Sequence, residues 1–325
     1  MHEQHPYSNA INLASAKLGA KAVACSDDFF AEMSRLIQDA DPVFVAGKYD
    51  ENGKWMDGWE SRRRRSGGFD WCVIRLAVPG RIAGFDIDTR HFTGNFPPGA
   101  EIEGAVGDTP PTDASDWVSL LGEVSLGGDR QHLFDAKPCE APIQWIRLKI
   151  YPDGGVARLR VYGTPVAPAV APGTELELSS LLHGSRVIAY SNAHYGNPEV
   201  MLTPGRGVNM GDGWETARRR VPGNEWIIVQ LGIPGRISRV EIDTAHFKGN
   251  FPSACSLQAA AMPALGRDAL VTQAMFWPDV FGQTPLTADA IHPVACTTTG
   301  VVTHVKLNIY PDGGISRLRV FGVSA

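Results

Sequence analysis

A stretch that occurs twice limits what this chain can fold into more than any other feature. Residues 57–97 read DGWESRRRRSGGFDWCVIRLAVPGRIAGFDIDTRHFTGNFP, and residues 212–252 read DGWETARRRVPGNEWIIVQLGIPGRISRVEIDTAHFKGNFP. The offset is 155 residues without a gap, and 23 of the 41 positions are identical. A second echo pairs IRLKIYPDGGVARLRVYG, ending at Gly163, with VKLNIYPDGGISRLRVFG, ending at Gly322. A looser one pairs residues 11–26 with 176–191. The chain therefore reads as two copies of one domain, residues 1–163 and 176–325, joined by the Pro/Ala-rich stretch 164–175, which fits a semi-rigid linker. Each copy is long enough to bury a core without disulfides or metal staples.

Composition narrows the class. The apolar fraction is 43% and the charged fraction 20%, ordinary values for a globular protein. A net charge of −5 offers no global basic field for nucleic acid or an anionic membrane. No apolar run approaches a membrane span, and the first ten residues lack a charged-then-apolar leader pattern, so the expected location is cytoplasmic. Five cysteines without paired spacing read as reduced thiols rather than a disulfide framework.

The local patterns are mostly those of strands. A short helical piece is expected over 27–38, capped by Asp27 or Asp28, and a loop over 47–56 with a turn at Asn52-Gly53. The β-rich run from Trp71 is expected to stop at a Pro79-Gly80 turn, with a second, alternating strand over 81–88; Pro234-Gly235 repeats the pattern. Pro-Asp-Gly-Gly between residues 145–151 and 156–162 reads as a hairpin. Many short strands separated by turn residues predict an all-β sandwich. Trp59, Trp71, Trp117, Trp214, Trp226 and Trp277 are expected in its core.

The order W-x-x-V-x-L, P-G-x-I, I-D-T and RLRVYG resembles the galactose-binding-like jelly roll. The motifs DGWESRR, IDTRHFTGNFP and YPDGGVARLRVYG, each with its second copy, resemble the allantoicase (allantoate amidinohydrolase) family over nearly the whole chain. That resemblance implies two tandem jelly-roll domains, a homo-oligomer, and hydrolysis of allantoate to ureidoglycolate and urea in purine breakdown.

Such a reaction needs a cation or N–H donors for a carboxylate, an acid or base for the departing urea or the attacking water, and hydrogen-bond partners for the ureido arms. His91 and His246 are the first candidates for proton transfer, with Asp88 and Asp243, three residues earlier, as their orienters. A looser pair, His132 and His292, is also a candidate. Arg63, Arg64, Arg218 and Arg219 are candidate carboxylate forks, read as lying on a strand. Glu60 and Glu215 are either bases or, preferably, partners of those arginines, and Asn95 and Asn250 either hold a ureido arm or shape a turn. Arg158 and Arg317 read as structural. No cofactor is called for; two histidines and an aspartate per copy leave a divalent metal as an alternative, though no HxH or HxxxH spacing supports it. A non-catalytic module binding a sugar or other small ligand is the rival reading.

Overall fold

A computed structural model describes residues 6–7, 10–112, 116–171 and 173–325. The chain divides into two compact units, Met1–Val166 and Ala167–Ala325. The strands of the first unit are β1 (Ile11–Asn12), β2 (Lys21–Cys25), β3 (Tyr49–Asp50), β4 (Gly53–Lys54), β5 (Trp59–Glu60), β6 (Asp70–Asp88), β7 (Gly99–Ala105), β8 (Val118–Ser125), β9 (Gln131–Asp135), β10 (Ile143–Tyr151), β11 (Gly155–Val156) and β12 (Arg158–Pro165). Every pairing among them is antiparallel.

The unit is built around β6, which runs unbroken for 19 residues through Pro79-Gly80. The expected turn there does not form. Instead the strand changes neighbours: Asp70–Arg75 lies between β2 and β10, whereas the stretch from Gly80 to Asp88 pairs with β12 and, from Gly84, with β9. The β6–β10 register shifts between Arg75 and Gly80. Proline has no N–H to give a ladder, so a strand tolerates it where pairing is interrupted. One long strand thereby serves both layers of a sandwich. The order β12-β6-β10 also overturns the expected hairpin. Strands β10 and β12 flank β6 instead of pairing with each other, so Pro-Asp-Gly-Gly is a crossing connection. The helical piece is a shorter 3-10 turn, Met33–Ile37, with Asp28 accepting from the Met33 N–H at 3.4 Å. The loop expected over 47–56 carries the small β3–β4 hairpin.

In the second unit the strands are β13 (Glu175–Glu177), β14 (Arg186–Tyr190), β15 (Trp214–Glu215), β16 (Glu225–Asp243), β17 (Ala254–Ala260), β18 (Asp279–Pro285), β19 (Ile291–Ala295), β20 (Val302–Tyr310), β21 (Gly314–Ile315) and β22 (Arg317–Ser324). Its sheet order, β13-β22-β16-β20-β17-β18, matches β1-β12-β6-β10-β7-β8. Among the described residues the unit has no counterpart of β3–β4, and it carries a helix, α1 (Arg267–Gln273), between β17 and β18. In the first unit β12 continues to Pro165, two residues into the expected linker. Ile74, Phe85, Ile87, Ile102, Ile146, Leu148 and Val161 are fully buried, as are Ile228, Val240, Ile242, Leu257 and Leu307. Trp59, Trp214 and Trp277 are core residues, whereas Trp71, Trp117 and Trp226 only pack against its margin.

Candidate active site

The repeated Asp-Gly-Trp-Glu segment is anchored from below. Arg158, 1% exposed, donates from NH2 to Asp57 Oδ2 at 2.9 Å, from NH1 to the Asp57 carbonyl at 3.1 Å, and from Nε to the Ala40 carbonyl at 2.9 Å. A guanidinium taken out of water needs such full satisfaction. Trp59 is wholly buried and donates its indole N–H to the Asp27 carbonyl at 2.9 Å. That leaves the next residue, Glu60, fixed in position with its neighbour.

The crossing connection completes the placement. Gly155 stands opposite Glu60 in the β5–β11 pair, and its N–H donates to the Asn95 carbonyl at 2.7 Å. One glycine therefore touches both segments. A Cβ on Gly155 would lie 2.0 Å from the Phe92 ring, so no larger residue fits. With both backbones held, Asn95 Nδ2 donates to Glu60 Oε1 at 2.7 Å.

Glu60 is 9% exposed. Burial pushes its carboxyl pKa up, against the lowering influence of the Asn95 hydrogen bond and the nearby Lys54 charge. It is nonetheless reachable, because two adjoining cavities share Phe30, Glu60, Gly94 and Asn95 as walls. One, of about 400 Å³, is also lined by Lys54, Met56 and His91. The other, of about 330 Å³, is lined by Arg63, Pro152 and Asp153. The fold thus brings Glu60, Asn95, His91 and Arg63 to one place, with a carboxyl at the middle and a cation on either side.

The arginines separate into two roles. They lie outside any strand, so an alternating strand face does not describe them. Arg64 is committed to structure: NH1 bonds Asp70 at 2.8 Å, Nε the Gly67 carbonyl at 2.7 Å, and its N–H Asp153 at 2.7 Å. Arg219 repeats this with Glu225 at 2.7 Å and Asp312 at 2.8 Å. These two are therefore corrected from carboxylate forks to ion-pair anchors. Neither Arg63 nor Arg218 has an ion-pair partner among the described residues, and both are exposed. The expected bond from Glu60 to an arginine is absent among the described residues; Asn95 takes that place.

His91 sits at φ +72° and His246 at φ +69°, left-handed conformations uncommon for side chains other than glycine. Each is held there by its N–H, which donates to Asp129 Oδ1 at 2.8 Å or to Asp289 Oδ1 at 2.9 Å. The His91 Nε2–H donates to the Pro42 carbonyl at 3.1 Å, and that of His246 to the Gly207 carbonyl at 2.7 Å. Nδ1 of His91 has no partner among the described residues and is the nitrogen able to take a proton.

Asp88 does not orient His91. It is fully buried and binds Arg90, accepting from its N–H at 2.8 Å and its NH2 at 2.7 Å. The Arg90 NH2 also reaches Asp41 at 2.9 Å, and this bond holds the Asp41 carboxyl below its ordinary range. Asp243 likewise turns away from His246, accepting from the Ala245 N–H at 2.8 Å and pairing with Arg206 at 3.4 Å. His132 and His292 are also corrected. Their Nδ1–H groups donate to the Ile87 and Ile242 carbonyls at 2.9 and 3.1 Å, and their Nε2 atoms accept from the Gly127 and Thr287 N–H groups at 2.9 and 2.8 Å. Both ring nitrogens are consumed by backbone, which leaves no site for proton transfer. Among the described residues no three His, Cys, Asp or Glu side chains converge as a metal site would require.

The second unit repeats the central contact, with Asn250 Nδ2 donating to Glu215 Oε1 at 2.6 Å and the Gly314 N–H to the Asn250 carbonyl at 2.8 Å. Its walls differ. The residue whose N–H meets the glutamate carbonyl alongside its neighbour is Phe30 in one unit and His194 in the other. Phe30 escapes a sequence reading built on matched residues because its counterpart is a different residue, and Lys54 and Met56 escape it because they lie in a stretch that is longer in the first copy. The unequal spacing before each Asp-Gly-Trp is the one sign of them.

The family model of the allantoicase repeat matches residues 11–166 and again 176–325. A Burkholderia pseudomallei protein named "Probable allantoicase 2" is 54% identical over 96% of this chain and 94% of its own length. A Photobacterium profundum protein named "Probable allantoicase" is 51% identical over 97% of each. The crystal structure of allantoicase from Saccharomyces cerevisiae superposes with a TM-score of 0.80 at 34% identity, covering 96% of this chain and 93% of that one.

Proposed function

The chain belongs to the allantoicase family, and on that premise we propose that the cavities flanking Glu60 are where it hydrolyses allantoate to ureidoglycolate and urea. In this reaction the bond from the central carbon to one ureido nitrogen breaks, its electron pair leaves on nitrogen, and water supplies a hydroxyl to the carbon. The departing nitrogen gains one proton and the water loses one. Glu60, kept protonated further up the pH scale by burial, is the acid for the departing urea. His91 accepts the proton of water at Nδ1, and return of a proton from imidazolium to Glu60 through solvent restores the site.

Arg63 grips the substrate carboxylate, which a guanidinium can bind with two parallel hydrogen bonds. The Asn95 carbonyl oxygen accepts from a ureido N–H while its amide holds Glu60. The observation that carries this reading is the Glu60–Asn95 pair: a buried carboxyl whose pKa burial pushes up, with no cation hydrogen-bonded to it among the described residues, and open to a cavity on two sides.

The test is urea release from allantoate by the full chain and by Glu60→Gln. We expect turnover from the first and a fall of roughly 100-fold or more in the second. A wild-type protein that binds glycans and releases no urea would return the chain to a binding role. A homo-oligomer rests on the family likeness alone, and the cytoplasmic location is proposed from the sequence; light scattering after gel filtration would contradict the first by giving the mass of a single chain, and cell fractionation would contradict the second by recovering the chain outside the cytoplasm.

A further inference from the structure

Two hydrogen bonds put the units into register at the mouth of the site. Val43 N–H donates to Asp57 Oδ2 at 2.9 Å, and Val208 N–H donates to Asp212 Oδ2 at 3.2 Å. Between those points the first unit has the thirteen residues 44–56 and the second only the three residues 209–211. The extra length is the β3–β4 hairpin with its flanks.

This insertion is fastened to the candidate site. The Phe44 ring stacks on His91 with centroids 6.1 Å apart. Lys54 Nζ lies 4.7 Å from the Phe44 ring centroid. Lys48 Nζ and the Arg35 guanidinium both sit over Trp55, at 3.6 and 5.2 Å, which holds the hairpin down on its other side. Lys54 then lines the cavity that contains Glu60, His91 and Asn95, while Arg63 lines only the adjoining one. No ion-pair partner occupies Lys54 among the described residues. The three-residue connection 209–211, Asn-Met-Gly, offers no cation in its place.

We propose that Lys54 is a catalytic residue confined to the first unit, where its ammonium donates a hydrogen bond to the carbonyl oxygen of the departing urea, and that turnover therefore belongs to this unit. The inference rests on the reading of the Glu60 site given above. As the C–N electron pair leaves on nitrogen, negative charge spreads to that urea oxygen. Glu60 supplies the proton to nitrogen, and Lys54 keeps all of its own. A compact ammonium suits a single carbonyl oxygen, as the planar guanidinium of Arg63 suits a carboxylate. A donor aimed at charge that develops during the reaction lowers the barrier rather than the ground state.

Lys54→Met and Lys54→Arg in the full chain separate the outcomes. We expect Lys54→Met to lower kcat for urea release by about 100-fold while KM moves less than about threefold. Lys54→Arg, which keeps a charge there, recovers most of the loss. Because the second unit is untouched, the residual rate of Lys54→Met caps what that unit contributes. Glu51→Gln, a charge change on the same hairpin outside the cavity, serves as control for the fold and keeps wild-type kinetics. A Lys54→Met protein with half or more of the wild-type kcat, or one changed in KM alone, overturns the proposal. If the wild-type chain itself releases no urea, the fault lies with the function assigned to the site, and the two failures are told apart.

Discussion

Asn95 donates its amide to Glu60 at 2.7 Å, and 155 residues later Asn250 does the same to Glu215 at 2.6 Å. Neither contact is local: 35 residues of chain separate the partners in each copy. They meet because Gly155 and Gly314 each bind both segments by backbone.

Burial of Glu60 couples the site to stability. A carboxyl whose folded pKa lies above its unfolded value binds more protons in the native state between the two values, so stability falls as pH rises across that interval. The native contribution is complete below the unfolded carboxyl range and is lost as pH climbs through the raised folded value. Glu60→Gln removes the charge and keeps an oxygen for Asn95. Its thermal midpoint should exceed that of wild type at pH 7, and the gap should close toward pH 4. A gap that widens on acidification would reverse the sign.

The two histidine pairs should respond differently. His91→Asn should lower kcat roughly 100-fold with the unfolding transition near wild type, since the proposed mechanism uses Nδ1 as the proton acceptor. His132→Ala removes the ring's bonds to the Ile87 carbonyl and the Gly127 N–H, so it should cost about 1–3 kcal/mol in urea denaturation and alter kcat little. Equal kinetic damage from both would remove the distinction.

Arg63 and Arg64 are neighbours with separate duties. Arg63→Met should raise KM for allantoate tenfold or more and leave denaturation unchanged. Arg64→Met strips Asp70, which is 3% exposed, of its cation and should destabilise by about 1–3 kcal/mol with little change in KM. Steady-state kinetics beside chemical unfolding would expose an exchange of these phenotypes.

Chelation should not abolish turnover. The side chains that a metal would recruit are already committed: His132 by both ring nitrogens, His91 by Nε2, and Asp88 by Arg90. Prolonged dialysis against a chelator, followed by assay, checks this, and recovery only on adding back a divalent ion would contradict it.

Duplication made much of the chain legible. Matched motifs mark two strand-rich, all-β units and single out Glu60, Asn95, His91 and Arg63. What they do there was harder to read, because partnership is decided by backbone direction. Asp88 stands three residues before His91, yet the positive φ at His91 and the reach of Arg90 send the carboxylate to the arginine. His132 looked like a second acid or base, and nothing in its spacing says that both nitrogens meet backbone. Pro79-Gly80 has turn chemistry, but Gly80 pairs with β10 on one side and β12 on the other, which holds the chain extended. Lys54 was invisible to a comparison of the copies since it has no copy.

The ion pairs beneath the loop have a history of their own. In the first unit Arg90 joins Asp88 to Asp41; in the second the loop residue is Ala245, and Arg206, standing where Asp41 does, reaches back to Asp243. The aspartate is neutralised in both, by cations arriving from opposite directions. Exchanging only the loop between halves would leave one hybrid with two arginines crowding one carboxylate and the other with none, so a working chimera must move both segments together.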